Sequence, residues 1–148
     1  MIPTELFQQI IENMPVFCID IVLVHDNKVL LTYRTDEPAK NQWWIQGGRV
    51  YKNERINEAI QRLAKRETGM EVEVIKQIGT YEVFFDKGSL ELKTGIHDVA
   101  VCFLVKPKEE LNVNLDNTHK QYKWIERVED SLHSYVKKVI NDSNYFEN

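Results

Sequence analysis

The chain has 148 residues, 43% of them apolar and 28% charged, and 19 Lys+Arg against 23 Asp+Glu leave a formal net charge of −4. The length suits one domain spanning residues 1–148, and the acid excess argues against non-specific nucleic-acid binding while leaving room for an acidic small molecule at a local basic or metal-bearing site. Cys18 and Cys102 both lie in apolar runs and read as free thiols, the stretches IDIVLV and VAVCFLV are too short to span a bilayer, and MIPTELFQQI lacks a leader's basic start, so a cytoplasmic protein without a membrane partner is expected.

Pro3 and Thr4 open an amphipathic helix, ELFQQIIENM, with Leu6, Phe7, Ile10 and Ile11 on one face, suited to docking on a body and closed by Pro15. Val16 to His25 and Lys28 to Arg34 flank Asp26-Asn27 as the strands of a β-hairpin. The loop TDEPAKNQ leads to a strand over Trp43 to Gln46 that runs into Gly47-Gly48. From Glu54 or Ile56 to Thr68 the period is helical, with Ile56, Ala59, Ile60, Leu63 and Ala64 on one face and Gly69 as the stop. EVEVIKQIGTYEVFF alternates as strand broken near Gly79, and Ile96 to Val105 is a near-continuous apolar strand ended by Lys106-Pro107. After the polar stretch LNVNLDNTHKQ come a short strand in YKWIE and a last helix in EDSLHSYVKKVIND, capped by Asp130 or Ser131. This order predicts an α/β fold with a mixed sheet covered by helices on both faces.

One residue in the first long helix breaks its own pattern. Glu67 lies seven residues after Ile60 and four after Leu63, almost in line with the core-facing stripe. A carboxylate there must be paired, bound to a metal or at the edge of burial. Glu54, Glu58, Arg62 and Arg66 follow at spacings of four and read as a solvated ridge. Gly47-Gly48 lets main chain approach a ligand closely, and a loop carbonyl beside a carboxylate can complete a site for a hard cation. Asp20, alone among apolar residues in VFCIDIVLV, is costly unless paired or engaged by a ligand.

The stretch from Gly48 through Glu54 and Arg62 to Glu67-x-Gly69-Met70 resembles the Nudix box, the signature of hydrolases acting on nucleoside diphosphates linked to another group. The usual box has a Glu after its Arg and a Glu pair before x-Gly; here Leu63 and Arg66 stand at two of these places and only Glu67 remains. That spelling, with PVFCIDIVLV, LLTYRTDEPAKNQWW and LDNTHKQYKWI, is similar to the GDP-mannose mannosyl hydrolase branch. The resemblance implies a Nudix-type α/β/α sandwich, a homodimer, a Mg²⁺ cofactor with Mn²⁺ as the alternative, and a nucleoside diphosphate sugar as substrate. GDP-mannose comes first and GDP-glucose next, cut at the anomeric C–O bond rather than at phosphorus.

Carried over position by position, the resemblance gives the metal to the Gly47 carbonyl, Glu67 and Thr118, although the branch has Gln where Thr118 stands. His119 becomes the general base, its neutral imidazole suited to taking a proton from water near pH 7. Against these stands the plainer reading of His119 as a surface-loop histidine and of Asp20 as a structurally paired acid. Asp20 and Arg34 match the branch's substrate contacts, Arg34 on the diphosphate and Arg49 as a potential assistant. Trp44 is read as a base-stacking candidate and Trp43 as core. Arg62 is expected to organise the box through Glu54. The branch also has a His at 97, a leaving-group Tyr where Asp98 stands, and a Pro where Gln46 stands, so the leaving-group contact is expected to be missing and the loop looser. His25 and His133 read as incidental, and Tyr145-Phe146 as packing on the body or on a partner subunit. Two alternatives remain: conventional pyrophosphate hydrolysis at phosphorus, and a protein that binds nucleotide sugars without turnover.

Overall fold

The structure, a computed structural model, describes residues 2–88, 90–109 and 121–147; the expectations for Thr118 and His119 fall outside them. Its elements are α1 (Thr4–Asn13), β1 (Val16–His25), β2 (Lys28–Tyr33), β3 (Trp43–Trp44), β4 (Gln46–Arg49), α2 (Ile56–Thr68), β5 (Val72–Phe85), β6 (Ile96–Pro107), β7 (Tyr122–Ile125) and α3 (Ser134–Ser143). Strands run β3-β2-β1-β6-β5, with β4 on β1 and β7 on β2. β1 and β6 are parallel from Val16↔Asp98 to Leu23↔Val105, and the other pairings are antiparallel, so the sheet is mixed.

Strand alternation sorts β1 into two cores. Ile19, Ile21 and Leu23 are fully buried in a cluster with Ala59, Ile60, Leu63 and Ala64 of α2. Cys18, Val22 and Val24 face the other way, in the cluster that holds Tyr135, Val136, Val139 and Ile140 of α3. Each large aliphatic side chain so buried contributes about 1.5–3 kcal/mol. The result is helix, sheet, helix, with Asp20 on the α3 side.

Local chemistry sets the ends. Asp26 and Asn27 both adopt positive φ, 51° and 61°, as a two-residue hairpin matched to strand twist requires. The backbone N–H of Arg55 bonds the Glu58 carboxylate at 3.0 Å at the start of α2, and Gly69 ends it with φ 75° and its N–H on the Lys65 carbonyl. α1 is tied down by Gln8 Nε2 donating to Glu91 O (2.8 Å) and by Lys93 N–H donating to Glu12 Oε1 (3.3 Å).

Four local expectations need correcting. The strand expected over Trp43 to Gln46 is two strands, β3 on β2 and β4 on β1, because the chain changes partner at Ile45. Gln46 does not loosen the glycine loop: it is buried, pairs with Ile21, and its Nε2 donates to Leu30 O at 3.2 Å. Gly79 does not break β5; register shifts at Val74/Lys76 and Gln77/Gly79 absorb the irregularity. The last helix is capped by His133, whose Nδ1 accepts from Tyr135 N–H at 3.0 Å, and not by Asp130 or Ser131, so His133 is not incidental. Tyr145 and Phe146 pack on the α3-side core of their own chain.

Candidate active site

A cleft of about 440 Å³ opens on the α3 side of β1 and β6, where α1 and the loop after β2 wall it in. Asp20, Arg34, Glu67 and Asp98 reach it from β1, the loop after β2, the end of α2 and β6. Its volume is that of a small-molecule site.

Gly47 sits opposite Asp20 in the β4–β1 pairing. A Cβ on Gly47 would strike the Asp20 carboxylate and lie 2.6 Å from the Ile19 carbonyl, so only glycine lets β4 lie this close. A Cβ on Gly48 would come within 2.9 Å of Leu63 Cδ2 and 3.0 Å of Arg66 Nη2. Leu63 is fully buried, so the position of one box carboxylate belongs to the core here.

Glu67, only 5% exposed, keeps its place in line with the buried stripe of α2. Its neighbour Arg66 leaves the solvated ridge: Nη2 donates to Gly47 O at 3.3 Å and lies 3.6 Å from Glu67 Oε1. Arg62 makes the bond to Glu54, Nε to Oε2 at 2.7 Å and Nη2 to Oε1 at 2.9 Å, and also donates to Arg49 O at 3.0 Å. Glu54 in turn accepts from Tyr51 N–H at 3.0 Å, and hydrogen bonding to Arg62 holds its carboxyl below the usual range. These bonds fix the loop between β4 and α2 as one piece.

Asp20 accepts a hydrogen bond from the Tyr135 hydroxyl at 2.5 Å, and the Cys102 thiol lies 3.3 Å from the same hydroxyl. Burial pushes Asp20 up to about 7; the Tyr135 bond and Arg34 oppose the rise, while the charge of Asp98 adds to it. Asp98, where the branch has its leaving-group Tyr, lines the cleft. Burial pushes it up to about 6 against a hydrogen bond with Cys18, whose own thiol is raised by burial. Arg34 Nε donates to Pro38 O at 2.6 Å while the side chain lines the cleft.

Trp44 lines the cleft at 7% exposure, its ring among Phe85, His133 and Tyr135 at centroid distances of 5.9, 5.0 and 5.8 Å. Trp43 meets Tyr33 edge-on at 5.2 Å, with Lys123 Nζ 4.7 Å from its ring centroid. Arg49 stacks between Phe7 and Tyr51 at 4.8 and 4.9 Å. His97 points elsewhere, 3.2 Å from Glu82 and stacked on Phe84. Sequence reasoning did not single out Tyr135. Its place on the apolar stripe Tyr135, Val136, Val139, Ile140 was the available signal, since a buried phenol needs an acceptor.

The Gly47 carbonyl and the Glu67 carboxylate are hard oxygen donors, and Mg²⁺ commonly takes only one or two carboxylates from a protein, with phosphate oxygens and water completing its octahedron. The donors present therefore fit such an ion. Among the described residues there is no group of three or more His, Cys, Asp or Glu side chains placed to hold a metal.

Helices on both faces of a mixed sheet form the Nudix arrangement, and at the end of α2 the Gly47 carbonyl and the Glu67 carboxylate lie 3.3 and 3.6 Å from the same Arg66 Nη2. The family model described as NUDIX domain matches residues 14–138, and the chain belongs to the NUDIX family, whose hydrolases generally use a divalent metal such as Mg²⁺. Among relatives, the low-salt glycan biosynthesis protein Agl8 of Haloferax volcanii is 34% identical over 140 residues, 95% of this chain and 89% of that protein. The ADP-ribose pyrophosphatase of Methanocaldococcus jannaschii is 36% identical over 67 residues, 45% of this chain and 40% of that protein. The MutT NUDIX hydrolase structure from Burkholderia pseudomallei shares the fold at a TM-score of 0.69 and 20% identity, covering 88% of this chain and 98% of that one.

Proposed function

We propose that the protein hydrolyses a nucleoside diphosphate sugar, GDP-mannose or GDP-glucose, at the glycosyl C–O bond with Mg²⁺, releasing GDP and free sugar. The observation that carries the reading is the reduced acid set: Glu67 stays buried, while Leu63 is sunk in the core and Arg66, within reach of both Glu67 and the Gly47 carbonyl, brings a positive charge where the box ordinarily has carboxylates. Attack at phosphorus in this family ordinarily draws on more metal ligands. Departure of a diphosphate from carbon needs mainly charge neutralisation. Similarity over 95% of the chain to a glycan biosynthesis protein points to sugar-bearing substrates as well.

In this reading Gly47 O and Glu67 would hold the cation, with Thr118 as a further donor, and the ion would supply charge neutralisation for the diphosphate. Arg34 turns its guanidinium to the same oxygens, a fork suited to phosphate. Asp20, held by Tyr135, accepts a hydroxyl or N–H of the substrate and so fixes its pose. His119 takes a proton from the attacking water as the new O–C1 bond forms; the C1–O bond breaks, and its electron pair leaves with GDP. Trp44 serves as a wall for the bound nucleotide. Glu54 and Arg62 keep the box loop in register. The same reading takes residues 1–148 as one domain working as a cytoplasmic homodimer.

³¹P NMR of the protein with Mg²⁺ and GDP-mannose or GDP-glucose tests it, beside His119→Ala and Glu67→Gln. The two-phosphorus spectrum of GDP, lost in both variants, is the expected result. GMP with sugar 1-phosphate would mean attack at phosphorus, the reading that the ADP-ribose pyrophosphatase relative favours, and would overturn the proposal. Binding without turnover would leave a nucleotide-sugar-binding protein.

A further inference from the structure

Arg66 is unusual in what it touches. On an exposed face near a helix C-terminus an arginine ordinarily meets solvent and the helix's last carbonyls. Here the guanidinium crosses to β4, donating to Gly47 O at 3.3 Å with the Glu67 carboxylate 3.6 Å away. Gly48 leaves room for the crossing, since a Cβ there would crowd Arg66 Nη2 at 3.0 Å. Its two partners are the same two oxygen groups that would serve a divalent cation. A guanidinium stays charged at every working pH, so it competes for those donors always.

The two side chains differ in freedom. That of Glu67 is 7% exposed and held, whereas that of Arg66 is 48% exposed, on a long flexible stem. An arriving diphosphate offers the guanidinium a bidentate, doubly anionic partner in place of one carbonyl and one carboxylate.

We propose that Arg66 occupies the cation site in the free protein and surrenders it to the divalent ion when a diphosphate enters the cleft, so that cation and nucleoside diphosphate bind with positive coupling through this side chain. The proposal rests on the reading of Gly47 and Glu67 as the cation's protein donors. Coupling of this kind keeps the site from filling with metal before the substrate it is needed for.

Mn²⁺ binding followed by electron paramagnetic resonance tests this without turnover, on the full chain, with and without GDP and corrected for Mn²⁺–GDP in solution. Arg66→Met keeps the length of the side chain and removes the charge; Arg66→Ala serves as a second variant, and circular dichroism checks the fold of each. Loss of a like charge at this distance and exposure should tighten binding of Mn²⁺ alone by about tenfold. The further gain given by GDP should shrink by a similar factor. Glu67→Gln should abolish binding. If Glu67→Gln abolishes binding and both Arg66 variants bind Mn²⁺ no tighter than the parent, the role of Arg66 is overturned while the cation reading stands. If Glu67→Gln binds as the parent does, the cation lies elsewhere and both readings fall.

Discussion

Asp20→Asn should make the metal-free protein more stable at pH 8 and remove a slope in its stability between pH 4 and 7. Burial raises the Asp20 carboxyl from 3.8 to about 7, so over that interval the folded chain holds a proton that the unfolded chain has released. Stability from this group is therefore fully present below the unfolded value and is lost as pH rises through about 7. A rise of about three pH units at about 1.4 kcal/mol each sets an upper figure of about 4 kcal/mol, and the partial exposure of Asp20 brings the expected loss to about 2–4 kcal/mol. Asparagine keeps an oxygen that accepts from Tyr135 without ever becoming charged. Urea unfolding followed by tryptophan fluorescence in EDTA, at pH 5 and pH 8, reads the difference. With a urea slope of about 2 kcal/mol per molar, the variant's midpoint at pH 8 should exceed the parent's by about 1–2 M and change less with pH. Asp98, raised to about 6, adds a slope of the same sign that both proteins keep. Parallel pH dependence in parent and variant would refute the argument that burial of Asp20 carries the cost.

Gly47→Ala should cost about 3 kcal/mol or more, because the new Cβ meets the Ile19 carbonyl and the Asp20 carboxylate and must push β4 off β1; a thermal midpoint within 2 °C of the parent, about the shift of a sub-kilocalorie change, would contradict this. Arg62→Met removes the two-pronged bond to Glu54 and the bond to Arg49 O, and should lower the midpoint by about 5–10 °C in calorimetry, corresponding to about 2–3 kcal/mol. His133→Ala removes the cap of α3, worth about 1 kcal/mol, and should show as faster amide exchange in its first turn.

What was legible in the sequence is what repeats locally. Alternation in VFCIDIVLVH gives β1 at its full length, and Asp26-Asn27 gives the hairpin, because period and turn chemistry are properties of neighbours along the chain. Glu67 was legible too, since the stripe of α2 fixes where residue 67 points. Contacts decided by tertiary approach were hidden. Spacing puts Arg66 on a polar ridge, and only the closeness of the glycines of β4 turns its guanidinium inward. Asp130 and Ser131 are better caps by residue type than His133, yet the chain becomes helical only at Ser134. The fold of the NUDIX family followed from the box and from element order, whereas the partner of Asp20 could not be named from spacing at all.

The bond between Asp20 and Tyr135 joins residues 115 apart in the chain. During synthesis β1 emerges early, and its acid must wait in water, ionised, until α3 has been made and docked. No fragment ending before α3 can supply that phenol, so partly made chains lack a finished cleft. The cleft becomes competent late, as one of the closing acts of folding.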